Sequence, residues 1–487
     1  MSKNNRRSFL KKIGLGFLSF SIGDYIPLFS WVKSAFPGYR SERIVYFTTG
    51  FKISEVSRHS AIIWTRLCDR ETPNPIQHKR RPEVFRHPID FDEEQPVESM
   101  DGGVAGAEGY VRARVFNAEE EKVSEWVKVE AADDYTAQIP FDDLRENQAY
   151  QVEIEGRPSL PDSATVATGE FTTAPGPDRV RRTCIVTSTC QYFWSFDDRR
   201  RGFRSYDSMR RLDPDFFIHT GDYVYYDKPG PLAKTVKEAR HKWHAMDSRP
   251  SLKELYKRVP IYMVKDDHDL LKNDVFPGSG GYGDLTFEDG LKLWHENAPL
   301  QEKPYRTIRW GKDLQVWLVE GREYRSANTR EDGPRKTIWG ERQVAWFKET
   351  MASSDATFKL LFSATPVVGP DRKNKNDNHA NSAFDTEGEW LREYLSGQEG
   401  AFVVNGDRHW QYVSRDRETG LVEVGSGPVS DCHAQGWDPN DMRPEHMFLR
   451  VKGGFLSITV DREEGEPYLS FRHHDVEGSV VNEEIFN

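Results

Sequence analysis

Apolar runs of four to seven residues that stop at polar or charged ones constrain this 487-residue chain more than any other feature. "TCIVTST", "DFFIHTGD", "IYMVKDDHD", "LQVWLVEG", "FKLLFSATP" and "AFVVNGDRH" follow one another after residue 180, with helix-like stretches such as "GERQVAWFKETMASS" between them. Runs this short read as buried strands, and their alternation with helical segments predicts an α/β domain over residues 180–487. Ligands of open α/β sheets sit beyond the carboxyl ends of the strands. Residues with ligand chemistry collect at those ends here: Cys190 after the first run, Asp222 and Tyr225 after the second, Asp266, Asp267, His268, Asp269 and Asn273 after the third, and Asp407 and His409 after the last.

Upstream the pattern differs. "AIIWTRL", "YVRARVF" and "AYQVEIEG" are rich in β-branched and aromatic residues and are separated by Pro, Gly, Asp and Asn, which predicts a fibronectin/Ig-like β-sandwich over residues 43–175. A loop rich in Pro and charge interrupts it at 70–108, Tyr150 is expected in its core or corner, and "TAPGPDRVRR" reads as the linker that follows. At the start of the chain, Arg6, Arg7, Phe9, Leu10 and Lys11 resemble the twin-arginine export motif. The apolar run from Ile13 to Ile22 is short for a membrane span and suits a signal segment, with a cut near Ala35. That resemblance implies residues 1–35 as a signal peptide, passage through the twin-arginine machinery in the folded state, and a periplasmic or extracellular destination. No transmembrane segment is expected in the mature chain.

Net charge is −11, and removal of residues 1–35 takes away six basic and one acidic side chain, leaving −16. Such a balance argues against general nucleic-acid binding, which needs a basic stripe, and is compatible with divalent cations. The four cysteines, at 68, 184, 190 and 432, form no CxxC pair. Cys184 lies inside an apolar run and reads as core, whereas Cys190 lies beyond its end.

The donors beyond the runs supply thiolate, phenolate, carboxylate, amide and imidazole. A carboxylate such as Asp222 has two oxygens and is able to bridge cations about 4 Å apart, which clamp the attacking and leaving oxygens of a displacement at phosphorus. A phenol is a poor ligand for a weakly charged metal and a good one for Fe(III), so Tyr225 points to trivalent iron. Oxygen donors at Asp267 and Asn273 suit calcium, magnesium or manganese better than zinc.

"TSTCQ", "FIHTGDYVYYD", "VKDDHDLLKND" and "VVNGDRHW", in that order, resemble the alkaline phosphatase D family of metallophosphoesterases, as do "VWLVEGREYRS" and the helical stretch after it. The likeness runs from about residue 43 to the end. It implies an N-terminal β-sandwich followed by an α/β/β/α metallophosphoesterase sandwich, and phosphomonoesterase or phosphodiesterase activity at an Fe(III) and calcium site. Residue by residue it makes Cys190, Asp222, Tyr225 and Asp407 iron ligands, shares Asp222 with calcium held also by Asn273 and Asp267, sets His268 near the leaving group, and lines the site with His409. A metal-bound hydroxide would attack phosphorus. The chain departs from the family pattern at Lys265, where a Trp is usual, at Lys272 to Asp274, and at Glu320 and Gly321, where an Asp is usual; these departures bear on the substrate wall.

Other segments stay open. "DDRRRGFRSYDSMRR" offers Arg200 and Arg204 as a phosphate clamp or as solvated helix surface. Residues 369–385 are a substrate or cation loop, or a plain surface connection. His473 and His474 read as surface residues, and His219 as a packed core histidine. The function expected is an exported metal-dependent hydrolase of phosphate monoesters or diesters. The alternatives are a phosphodiesterase acting on phospholipid or teichoic-type polymers, and a cell-surface binding protein with a degenerate metal domain.

Overall fold

The computed structural model describes residues 43–81, 89, 91–300 and 303–487. The twin-arginine motif and the signal segment through Ala35 lie outside the described residues. Each of the six apolar runs is a strand: Thr183–Ser188, Phe216–Thr220, Ile261–Val264, Leu314–Leu318, Phe358–Ser363 and Ala401–Asn405. The first three are parallel neighbours in a nine-stranded sheet, and the last three are parallel neighbours in a seven-stranded one.

Side chains alternate across each strand, and that alternation builds four layers. Ile185, Phe216, Ile218 and Val264 of the first sheet share a core with Val316, Leu318, Leu360, Phe362 and Val404 of the second. Their neighbours in sequence face outward. Val186, Phe217 and Met263 pack under the helices Arg204–Arg211, Val236–Asp247, Pro250–Tyr256 and Phe287–Asn297. Trp317, Leu361 and Val403 pack under Gly340–Ala352 and Asp385–Ser396. Helix, sheet, sheet and helix is the order expected for an α/β/β/α sandwich.

The β-rich segment upstream is joined to this body. Gly109–Phe116, Ala149–Arg157 and Thr165–Thr172 form a separate antiparallel sheet. Phe51–Ser54, Ala61–Arg66 and Thr136–Phe141 instead extend the nine-stranded sheet, through a parallel pairing of Ser54 with Ile261. The two sheets of the sandwich close over Ile63, Ile139, Val111, Val152 and Ile154, so one of its layers continues the sheet that carries Asp222. Tyr150 is buried there, and its hydroxyl accepts the Arg145 N–H at 2.9 Å, five residues upstream, in the manner of a tyrosine corner. Sequence reading missed the strands that follow Ala401–Asn405, among them Glu466–His474 and Val480–Phe486. They overturn the surface assignment of His473 and His474. His473 is buried against the Gly425 carbonyl at 3.1 Å, and His474 stacks on Phe455 at 4.5 Å.

A buried ion pair ties the upstream strands to the half that carries Asp222. Lys52 Nζ, on Phe51–Ser54, lies 2.7 Å from Asp247 Oδ2, donates to the Asn297 carbonyl at 3.0 Å, and sits 4.0 Å from the Trp64 ring centroid. Asp247 Oδ1 accepts the Tyr223 hydroxyl at 2.6 Å, one residue from Asp222. Lys52→Met leaves that carboxylate buried without its cation, and is expected to cost about 3–5 kcal/mol of stability. A urea titration should show a lower midpoint with the slope unchanged.

Candidate metal centre

Three of the expected ligands share a backbone oddity. Cys190, Asp222 and Asp407 each follow a strand and each adopt a left-handed conformation, with φ of 56°, 59° and 58°. Left-handed backbone is uncommon outside glycine and is held only where the surroundings enforce it. Here it turns three donor side chains back over the sheet edges toward one point. Gly221 and Gly406 allow this approach: a Cβ on Gly221 would meet the Asp266 Cβ at 2.7 Å, and one on Gly406 would meet the Thr220 carbonyl at 2.2 Å.

Asp269 enforces the turn. Its carboxylate accepts the backbone N–H groups of Asp222, Tyr223, Val224 and Asp266 at 2.7–3.0 Å. It is a clamp on the ligand loop, fully engaged by backbone, and not a donor to the centre. Cys190 Sγ lies 3.4 Å from Asp222 Oδ2, and the Tyr225 hydroxyl donates to the same oxygen at 2.8 Å while lying 3.4 Å from His409 Nε2. Cys190, Asp222 and His409 bring donor atoms within 4.8 Å of one another, as do Asp222, Asp267 and His268, and again Asp222, Asp266 and Asp407. Asp222 belongs to all three groups, which is the geometry a bridging carboxylate requires.

The donor set fits metal ions on a second count. Asp222 Oδ1 and Asp266 Oδ2 are buried without a hydrogen-bond partner, a costly condition for a carboxylate. Burial pushes the pKa of Asp222 up to about 8, with His268 opposing and Asp267, Asp269 and Asp407 adding to it. Burial and the charges of Asp222 and Asp407 push the Cys190 thiol up, and burial with Asp222 and Cys190 does the same to the Tyr225 phenol. Cations at the centre are what would ionise these groups.

Fixed cations stand behind the carboxylates. Arg322 is wholly buried, with Nε 2.5 Å from Asp266 Oδ1 and Nη2 3.7 Å from Asp267 Oδ2. Arg408 pairs with Asp407 and, at 2.5 Å, with Asp371. Lys375 lies 2.8 Å from Asp377 and 3.5 Å from Asp274. His268 Nδ1 is 2.6 Å from Asp227 Oδ1, and the other oxygen of Asp227 accepts the Asn273 N–H at 3.0 Å. Burial opposes charge on His268, but Asp227, Asp267 and Asp222 outweigh it and lift its pKa to about 10. His409 is kept neutral by burial and by the nearby charges of Lys228 and Arg372.

The centre opens into a cleft of about 650 Å³ lined by His268, Asn273, Asp407 and His409 together with Lys228 and Arg372. Asn273 is exposed there, its amide donating to Asp274 Oδ2 at 2.6 Å. Arg200 and Arg204 are elsewhere. Arg204 lies on the outer helix Arg204–Arg211, 2.5 Å from Glu477, and the Arg200 N–H is held by Asp198. That arginine run faces the outer helical layer, so the basic side chains of the cleft come from Lys228 and from the 369–385 loop. This loop is no plain surface connection. His219 is buried with both ring nitrogens unpartnered and its pKa pushed down to about 3 by burial, as a core histidine. Sequence reading missed His433, whose ring lies 4.2 Å from that of His409 and whose Nδ1 is 3.0 Å from the Cys190 carbonyl; it lies beyond Val422–Ser426, a strand broken by Glu423 that the reading did not name. His268 was read from the sequence, but its pairing with Asp227, the last residue of "HTGDYVYYD", was not.

A larger hollow of about 960 Å³ lies at the amino ends of the strands, lined by Glu399, Glu463, Glu464 and Glu466, a setting that repels phosphate esters. No described helix is long and apolar enough to cross a membrane.

Comparison with known proteins agrees with this fold. A solved structure of PhoD superposes with a TM-score of 0.68 at 15% identity, covering 93% of this chain and 91% of that one. The purple acid phosphatase PPD1 from yellow lupin (Lupinus luteus) seeds superposes at 0.59 with 10% identity, covering 91% and 74%. At these identities the likeness shows a shared fold. No curated protein sequence matches the chain. The family model for PhoD-like phosphatases matches residues 185–452, which span every donor described above, and the chain belongs to that family.

Proposed function

We propose that the protein hydrolyses phosphate esters at a centre of trivalent iron and calcium. Membership of a phosphatase family and the donor groups converging on Asp222 support a metal-dependent phosphoesterase; the metals and the ester are our reading. The observation that carries it is buried Asp222, common to three donor groups whose members His268, Asp407 and His409 line one cleft. Cys190, Asp222, Tyr225, Asp407 and His409 would surround the iron. Asp222, Asp267 and Asn273 would serve calcium, with magnesium or manganese as substitutes, and Asp266 is a further carboxylate within reach. Bound metals would supply Lewis-acid stabilisation of charge on phosphorus and a nucleophile at neutral pH. The chain's own residues do the rest. His268, held by Asp227, is placed to give a proton to the departing oxygen, and Arg322 and Arg408 hold the carboxylates in position from behind.

A phenolate on ferric iron absorbs in the visible, so the native protein is expected to be coloured, and Tyr225→Phe should bleach or strongly shift the band while circular dichroism stays unchanged. Colourless protein with stoichiometric metal and full activity would remove iron from the proposal. Chelation with EGTA should abolish hydrolysis and calcium should restore it.

His268→Ala is expected to lower kcat by about 10²–10⁴ for an alkyl phosphate, the usual range for loss of a general acid. The drop should be much smaller for 4-nitrophenyl phosphate, whose leaving group needs no proton. Equal losses on both would mean that His268 only shapes the site. Assays on matched monoesters and diesters decide between the phosphatase reading and a phosphodiesterase acting on phospholipid or teichoic-type polymers.

Export by the twin-arginine route to the periplasm or beyond the cell is part of the proposal. Changing Arg6 and Arg7 together to lysine should leave the protein in the cytoplasm, as read by cell fractionation; unchanged export would overturn it.

A further inference from the structure

The acids and bases of the cleft are unevenly paired. Each acid has a partner: Asp227 holds His268, Asp407 pairs with Arg408, and Asp274 lies 3.5 Å from Lys375. Lys375 is taken up in turn by Asp377. Lys228 and Arg372 are different. Among the described residues Lys228 Nζ makes no ion pair and no hydrogen bond, and it stands 5.1 Å from the Tyr225 ring centroid. Among the described residues the Arg372 guanidinium has one ionic neighbour, Asp371 at 3.8 Å, whose other oxygen already receives Arg408 and Asn378. It lies 5.7 Å from the Trp410 ring centroid at the cleft wall.

Both cations are free at their tips and fixed at their roots. Buried Lys242 donates to the Lys228 carbonyl at 2.8 Å and lies 3.4 Å from that of Pro229. The Arg372 N–H donates to Asp371 Oδ1 at 2.6 Å, and Arg408 pins that carboxylate from the other side. Two anchored cations with unused donors form a ready anion site. They line the same cleft as His268 and Asp407, and its volume of about 650 Å³ falls in the range of about 300–1,000 Å³ that takes a whole small ligand rather than a phosphoryl group alone.

We propose that Lys228 and Arg372 bind a second anionic group, a phosphate or a carboxylate, on the alcohol portion of the substrate, so that the enzyme prefers esters whose leaving alcohol is itself negatively charged. This rests on the phosphoesterase reading above. It gives the two residues a role in specificity, since they act on a part of the substrate away from the reacting phosphorus.

The test uses the metal-loaded protein and a charge series. Phosphoglycolate and a sugar bisphosphate carry an anionic alcohol, glycerol phosphate a neutral one, and phosphoethanolamine a cationic one. The expected order of kcat/KM is anionic, neutral, cationic, with the difference mainly in KM. In the variant Lys228→Met/Arg372→Met the ratio of anionic to neutral should fall at least about tenfold, the effect of losing one hydrogen bond to a charged group. Comparing the carboxylate and phosphate arms shows which anion the pair prefers. Direct binding gives a readout independent of turnover: calorimetry should show phosphonoacetate binding more tightly than methylphosphonate, with the advantage shrinking in the variant. In the native protein the advantage should also shrink as salt is raised, because half-buried cations lining an open cleft are still partly screened. A ratio that does not change in the variant, or no preference among the three alcohol charges, overturns the proposal. If no ester in the series is hydrolysed, the phosphoesterase reading fails by itself, and the phosphonate comparison still decides whether the cations bind a second anion.

Discussion

Carboxylates packed at one buried point set the terms for the rest of the molecule. Asp222, Asp266, Asp267 and Asp407 converge between the ends of two sheets, with little water to separate their charges. Two like charges about 4 Å apart repel by about 4 kcal/mol even at an effective dielectric of about 20. Such a cluster is stable only if positive charge is brought to it, and the chain brings it from several directions. Arg322 comes from the segment after Leu314–Leu318, Arg408 from the residue beside Asp407, Lys375 from the 369–385 loop and His268 from the ligand turn. The paths of those segments follow from that requirement. The 369–385 loop folds over the centre because Asp371 and Asp377 also answer Arg408, and in doing so it delivers Arg372 to the cleft.

Strain and support are divided in the same way. Non-glycine residues in left-handed backbone cost on the order of 1–3 kcal/mol each, and Cys190, Asp222 and Asp407 all adopt it. The sheets supply the offset. Cys190 N–H donates to the Gly221 carbonyl, the Thr189 hydroxyl reaches both Gly221 and the Asp407 N–H, and Asp269 holds Asp222. The strand ends are thus bound to one another as well as to their own sheets. A donor point built this way is held by the protein's own hydrogen bonds, the kind of support that a precise coordination geometry requires.

The sequence made the strands and the donors legible because both depend on local pattern. Short apolar runs mark buried strands whatever their neighbours do, and a polar residue after such a run has only the sheet edge to occupy. Direction across the fold is a different matter. The run from Arg199 to Arg211 is the densest positive charge in the sequence, yet Arg204 reaches Glu477 on the outer layer. Lys228 and Arg372 stand 144 positions apart in the numbering and meet in one cleft. His433 lies near His409 only because the chain returns there after Val422–Ser426. The junction of Ser54 with Ile261 was hidden for the same reason, since strand pairing at long separation leaves no local mark.

The departures from the family pattern at Lys265 and at Glu320 turn out to be one feature. Lys265 Nζ lies 2.6 Å from Glu320 and 2.6 Å from Glu323, and Lys265 and Glu320 are both 1% exposed. A cation buried before the aspartate pair needs an anion in reach, and an anion buried before Arg322 would otherwise compete for that guanidinium. Pairing the two leaves Arg322 to Asp266 and Asp267. Lys265 is absent from the cleft wall, so this pair bears on what supports Asp266 and Asp267 rather than on the cleft lining. The differences in substrate that the sequence suggested at these positions must therefore be sought where the cleft is actually lined, at Lys228, Asn273 and Arg372.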